Sequence, residues 1–251
     1  MTKLDKKLKE IFLSKNSSSI KYLYFFFNKI ISLLSFKKSF SQGSMDLILN
    51  IIFRDQRSGV YVDVGCQHPI KNNNTFLLYK RGWSGINIDL DRVNIDLFNY
   101  HRPRDFNFNS AISDKKEEVD LFYYHQKSPI NTLDKEVSNK QPAKLEKTLK
   151  IKTETLTDII EKTTIKNIDI LSIDVEGYEL KVLKGLNFEK YKPKLIITEF
   201  LDLTTTKWEI PYNNLDNVVN SEIYNFMISK KYKLVNWVNG DLIFMIKNSK
   251  D

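Results

Sequence analysis

Cysteine is almost absent from the 251-residue chain. Cys66 stands alone, so no internal disulfide can form and a reducing, cytosolic setting is expected. Long apolar runs are missing too. The most hydrophobic stretch, IKYLYFFFNKIISLLSF at residues 20–36, is short for a bilayer span and holds Lys29 in its middle, so no membrane crossing is expected. No small-residue cleavage site follows it, which argues against a secretory leader. Repeats and low-complexity tracts are also lacking.

An excess of one charge is missing from most of the chain. The formal net charge is +8, but residues 1–44 hold nine lysines against Asp5 and Glu10, leaving 30 basic and 29 acidic side chains in the other 207 residues. The body therefore lacks the basic footprint of a duplex binder, and no nucleic-acid partner is expected. The basic segment reads as an N-terminal helical extension, residues 1–44, ahead of a domain at 45–251. On a helical wheel Asn28, Lys29, Ser32 and Ser35 share one side of the 20–36 stretch, with Phe25, Phe26, Ile30, Ile31, Leu33 and Leu34 over most of the rest. A helix packed on the core or a partner accounts for this. So does a basic, aromatic helix lying on the anionic inner face of a membrane.

What the body does contain is alternation. MDLILNIIF (45–53) is a helix candidate and GVYVDVG (59–65) a short apolar strand ending in a turn. NTFLLYKRG (74–82) is a helix closed by glycine, SGINIDL (84–90) a strand, and a helix then runs through Tyr100. DFNFNSAIS (105–113) reads as a third strand and EEVDLFYYH (117–125) as an added β segment, whereas 126–148 shows no period and reads as a long loop. LKIKTETLTDIIEK (149–162) is a strand and then a helix, with Thr155 as N-cap and Asp158 completing a capping-box variant. IDILSID (168–174) and PKLIITEF (193–200) are strands four and five, and a helix covers about 216–231. Asn239-Gly240 between two apolar runs is a strong hairpin signal for 232–246. The fold class is α/β: a mostly parallel sheet with helices on both faces and a C-terminal antiparallel hairpin.

In such sheets ligands bind beyond the carboxyl ends of the strands, near the point where strand order reverses. Those ends carry Asp63-Val64-Gly65, Asp89-Leu90-Asp91, Ser110-Ala111, Asp174 and Glu199. Asp89 lies 26 positions after Asp63, a spacing suited to ribose hydroxyls. Glycine is scarce where a phosphate would need it: the first turn, DVGCQHP, has one glycine and no lysine, so no pyrophosphate cradle is expected. Acids without such a cradle suit a cationic nucleoside, and S-adenosylmethionine carries a ribose, an ammonium and a sulfonium. Taken singly, Asp63 or Asp89 reads better as a helix N-cap, but four converging acidic ends favour a site.

YVDVGCQHP, NNTFLLYKRGWSGINIDLD, RPRDFNFNSAISD, IDILSIDVEGYELKVLKGL and KYKPKLIITEF occur in order between residues 58 and 200. Together they resemble the FkbM-type methyltransferases, which share the Rossmann-like class I S-adenosylmethionine-dependent fold with its seven-stranded sheet. The resemblance implies O-methylation of a hydroxyl on a sugar, glycan precursor or polyketide, in the setting of bacterial surface-polysaccharide synthesis. It implies a cofactor turn at Asp63 and Gly65, ribose binding by Asp89, an adenine border at Ser110 and Ala111, and Asp174 beside the transferring methyl. The acid usual at the Ser110 position is missing, and Cys66 stands where a small residue is common.

Asp174 and Glu176, with Glu199 and His68, are then the candidates to surround the acceptor hydroxyl and take its proton. A divalent cation such as Mg²⁺, held by Asp174, Glu176 and Glu199, would equally relieve their mutual repulsion, so base and metal both stay open. Glu176 also reads as a helix-capping acid and His68, before Pro69, as a solvated turn residue. Other classes on the same fold are a non-catalytic scaffold, an NAD-dependent oxidoreductase, which the single-glycine turn disfavours, and a nucleic-acid methyltransferase. The last is disfavoured by the neutral body and by the lack of an Asn/Asp-Pro-Pro-aromatic motif at strand four.

Overall fold

The computed structural model describes residues 38–200 and 215–247, Asn239 excepted, and a few residues between 22 and 30. The chain divides into two units, residues 1–38 and 39–251. In the first, the described residues between 22 and 30 are helical, and Tyr22, Phe25 and Phe26 are more than half exposed.

The second unit begins earlier than the 44/45 boundary expected from charge. Asp46, fully buried, accepts hydrogen bonds from Ser39 Oγ, Phe40 N and Ser41 Oγ, which ties 39–44 to helix α1 (Met45–Ile52). A charge count cannot see that anchor.

Seven strands form one sheet in the order β3-β2-β1-β7-β8-β10-β9: Phe106–Asn109, Ser84–Asp89, Val60–Val64, Ile170–Ile173, Leu195–Glu199, Asp241–Ile246 and Tyr232–Val238. All paired neighbours are parallel except those of β10, which runs against both β8 and β9. The sequence VYVDV of β1 explains its place at the centre. Its side chains alternate between two buried faces, and both are covered. Val62 and Val64 pack with Leu156, Ile159 and Ile160 of α5 (Leu156–Glu161) and with Val182 and Leu183 of α6 (Glu179–Lys184). Tyr61 packs with Met45 and Leu49 of α1 and with Leu78 of α2 (Phe76–Lys80). Helices thus lie on both faces of a mostly parallel sheet, as expected.

Three expectations change. Residues 105–113 are two strands, because the chain leaves the main sheet at Ser110, and β4 (Ala111–Ser113) pairs in parallel with β6 (Lys147–Thr155). With β5 (Glu118–Tyr123) they make a separate three-stranded sheet in the order β4-β6-β5. The stretch 126–148 is not bare loop. It contains α4 (Lys135–Lys140), capped by Asp134, whose carboxylate accepts from Glu136 N and Val137 N. The helix expected over 216–231 breaks into α7 (Leu215–Val219) and α8 (Glu222–Ser229), since Ser221 caps the second. The Thr155–Asp158 capping box is formed with both of its bonds. The terminal hairpin pairs β9 with β10, although Asn239 at its tip lies outside the described residues.

Candidate functional site

Strand register builds the site. Val64 pairs with Ile88 on one side and Ile173 on the other, and Ile173 pairs with Thr198. The next residue of each strand end therefore falls at one level: Gly65, Asp89, Asp174 and Glu199. Asp241 joins them, because it is the register partner of Glu199. Above this level, on the switch side of the sheet, lies a cavity of about 350 Å³.

Gly65 makes the close approach possible. Its φ is +80°, and a Cβ there would sit 1.7 Å from the Asp174 carbonyl oxygen, so only glycine fits. Gly65 N and Cys66 N both donate to Ile88 O, which folds the turn over β2. Asp89 then accepts from Gln67 N at 2.9 Å and from Asp91 N at 2.7 Å. Burial nevertheless pushes its pKa up to about 6 against those bonds.

Seven of the sequence-predicted residues line the cavity: Gly65, Asp89, Ser110, Ala111, Asp174, Glu176 and Glu199. Asp63 and His68 do not. Asp63 shares a strand face with Tyr61 and is buried under the turn, where it accepts from Asn73 Nδ2 and Thr75 Oγ1. Arg102, fully buried, donates to the same Thr75 Oγ1, to Pro69 O and to Asn73 Oδ1, so Asp63 belongs to the frame that holds the 65–75 loop. His68 Nδ1 accepts from Ile70 N at 3.0 Å and Lys71 N at 3.1 Å, a turn-capping role, and burial lowers its pKa.

The opposite wall is acidic. Oxygen atoms of Asp174, Glu176 and Glu199 lie within 4.8 Å of one another. Asp174 is open to the cavity, while Glu176 sits in the left-handed region at φ 56°, followed by Gly177 at φ 103°. Two side chains enforce that turn. Glu179 Oε1 accepts from Val175 N and Gly177 N, and Thr132 Oγ1 donates to Glu176 O at 2.6 Å. Among the described residues no lysine or arginine forms an ion pair with Asp174, Glu176, Glu179, Glu199 or Asp241.

Desolvation and mutual repulsion therefore favour protonation throughout the group. Burial, then Asp174, lifts Glu176 to about 8, and the same pair of causes lifts Asp241 to about 7. Burial foremost raises Asp174, Glu179 and Glu199 as well. The arrangement can take up a proton near neutral pH or gather around a positive charge.

Sequence reasoning missed Asp241, Glu179, Asn94 and Ser128. Only Asp241 had a usable signal, as the acid just past the hairpin turn. Three residues that line the cavity each carry a buried side-chain atom without a hydrogen-bond partner: Asn94 Oδ1, Ser128 Oγ and Glu199 Oε2.

Among solved structures the chain is similar to a TehB-like SAM-dependent methyltransferase from Corynebacterium glutamicum ATCC 13032 Kitasato, at 11% identity and TM-score 0.43, covering 92% of this chain and 100% of that one. It is also similar to the O-methyltransferase from Bacillus cereus in complex with SAH, at 11% identity and TM-score 0.39, covering 98% of each chain. No curated protein matches it. The family model described as the Methyltransferase FkbM domain matches residues 63–234, well over half of the chain, and takes in the strand ends at Asp63, Asp89, Asp174 and Glu199. With that match and the acid-rimmed cavity at the switch point, the chain belongs to the FkbM methyltransferase domain family.

Proposed function

We propose that this methyltransferase moves a methyl group from S-adenosylmethionine to a hydroxyl of a sugar or glycan precursor. The observation that carries the reading is the set of three carboxylates whose oxygens lie within 4.8 Å at the ends of β7 and β8, free of basic partners among the described residues. The residues fit the cofactor. The cavity wall offers unpartnered buried hydrogen-bonding atoms and a surplus of acid, which suit a ligand with hydroxyl and amine donors and positive charge. Bound S-adenosylmethionine supplies an electrophilic methyl on a cationic sulfur.

The chain supplies the rest. Asp89 is placed for the ribose, and Ser110 and Ala111 border the base. Glu176, whose pKa is raised towards 8, accepts the acceptor's hydroxyl proton, and Asp174 and Glu199 orient that hydroxyl. A turn-capping His68 outside the cavity is not assigned the base role.

The same three carboxylates favour a second reading of their role. Hard oxygen ligands at this spacing, with Glu199 Oε2 unpartnered, would hold a divalent cation such as Mg²⁺. We assign the protein to the cytoplasm and to surface-polysaccharide synthesis, with residues 20–36 as a peripheral contact to the membrane. The exposed aromatic residues and the nine lysines of the first 44 residues support that contact. Among the described residues no helix is long and apolar enough to cross a membrane.

The test is methyl transfer from labelled S-adenosylmethionine into a panel of nucleotide sugars, glycan fragments and hydroxylated polyketides, with the product read by NMR. An O-methyl resonance on a sugar carbon is expected. Label found only on polyketide hydroxyls would move the acceptor class, and cofactor binding without any transfer would favour the scaffold reading.

A further inference from the structure

Two side chains in the cavity wall are more buried than their chemistry allows. Asn94 is 3% exposed and its Oδ1 has no partner, and Ser128 is 8% exposed and its Oγ has none. Both line the cavity. An unsatisfied buried polar atom is costly, and a site that retains two of them is built for a ligand that satisfies them.

Both lie near the end of β2. Asn94 sits in the first turn of α3 (Arg92–His101), whose N-cap is Asp91. Asp91 Oδ1 caps that helix through Val93 N, and its Oδ2 accepts from Lys127 N at 2.6 Å. The residue preceding Ser128 is thereby bound to the start of the helix that carries Asn94.

The neighbouring groups are already engaged. Each oxygen of Asp89 holds a backbone amide. Ser110 donates its hydroxyl proton to Glu154 Oε2 at 3.0 Å. Among the described residues on this side of the cavity, Asn94 and Ser128 are the ones with a buried side-chain atom that has no partner at all. An amide oxygen can only accept, so the ligand must bring a donor. An adenosine has three such groups: the 2′-hydroxyl, the 3′-hydroxyl and the exocyclic amine.

Resting on the S-adenosylmethionine reading above, we propose that Asn94 Oδ1 and Ser128 Oγ are, alongside Asp89, nucleoside-recognition groups of this cavity. They accept hydrogen bonds from adenosine donors.

Calorimetry on the full chain tests this with S-adenosylhomocysteine and three analogues of it: 2′-deoxy, 3′-deoxy, and the inosine form in which oxygen replaces the amine. Asn94→Ala and Ser128→Ala should each weaken S-adenosylhomocysteine by roughly 3–10-fold. The analogue lacking the contacted donor should bind the native chain less tightly by a similar factor and lose nothing more in the variant. Ser128→Ala removes only an unpartnered hydroxyl, so its ligand-free melting temperature should not fall, which keeps the test valid should Asn94→Ala unfold. Native affinity in both variants would overturn the assignment, as would an equal loss for S-adenosylhomocysteine and all three analogues. A native chain that binds no S-adenosylhomocysteine would remove the cofactor reading itself, a different and distinguishable failure.

Discussion

Asp241→Asn should make the protein more stable above pH 7 and flatten its pH dependence. Asp241 faces Glu199 across the β10–β8 pair, and burial followed by Asp174 lifts its pKa from 3.8 to about 7. A carboxyl with a raised folded-state pKa binds its proton more tightly folded than unfolded. Its ionisation therefore costs stability as pH rises from about 4 to 7, and the full cost is present above 7. A displacement of that size corresponds to roughly 4 kcal/mol. Solvent in the cavity screens part of it, leaving roughly 2 kcal/mol.

Urea unfolding at pH 5, 6, 7 and 8 reads this directly. His68 works in the opposite sense, since its lowered pKa adds stability as pH rises through its unfolded value. The informative quantity is thus the difference between native chain and variant, in which His68 cancels. The variant should gain roughly 2 kcal/mol on the native chain at pH 8 and roughly a third of that at pH 5. A difference that stays constant with pH, or that favours the native chain at pH 8, would refute the reasoning.

Glu176→Gln should lower kcat by roughly 10²–10³-fold while S-adenosylhomocysteine binds within about threefold of the native value, as single-turnover kinetics and calorimetry would show. Gly65→Ala forces a Cβ to 1.7 Å from the Asp174 carbonyl at φ +80°, and should cost roughly 3 kcal/mol or more in urea unfolding and abolish cofactor binding. If the carboxylate cluster holds Mg²⁺, EDTA should reduce activity at least tenfold and added Mg²⁺ restore it. Activity indifferent to EDTA leaves the cluster its proton-accepting role alone.

The central strands were legible because β1, β7 and β8 are continuous β-branched or leucine-rich runs between turn residues, the pattern of strands covered on both faces. The hairpin and the Thr155 cap were legible because their chemistry is local. The division at Ser110 was not. FNFN and AIS each read as extended chain with no turn residue between them, and the break arises from pairing with β6, whose partner residues lie about forty positions further along. Asp63 and Asp89 look alike as strand-end acids, yet Asp63 alternates with the cavity-facing side and points towards the Arg102 frame. Glu179 resembled an ordinary acid in a first helical turn, because nothing nearby in sequence shows that its carboxylate holds the amides of Val175 and Gly177. Asn94 and Ser128 carried no local mark at all.

The segment between β5 and α4 fastens the rim at two opposite points, through Lys127 N on Asp91 and Thr132 Oγ1 on Glu176 O. Six residues of chain, Lys127 to Thr132, thus clasp the Asp91 and Glu176 sides of the cavity together. Grafting a different segment there would release both anchors in the same stroke, so the two walls of the cavity cannot be redesigned independently through this piece of chain.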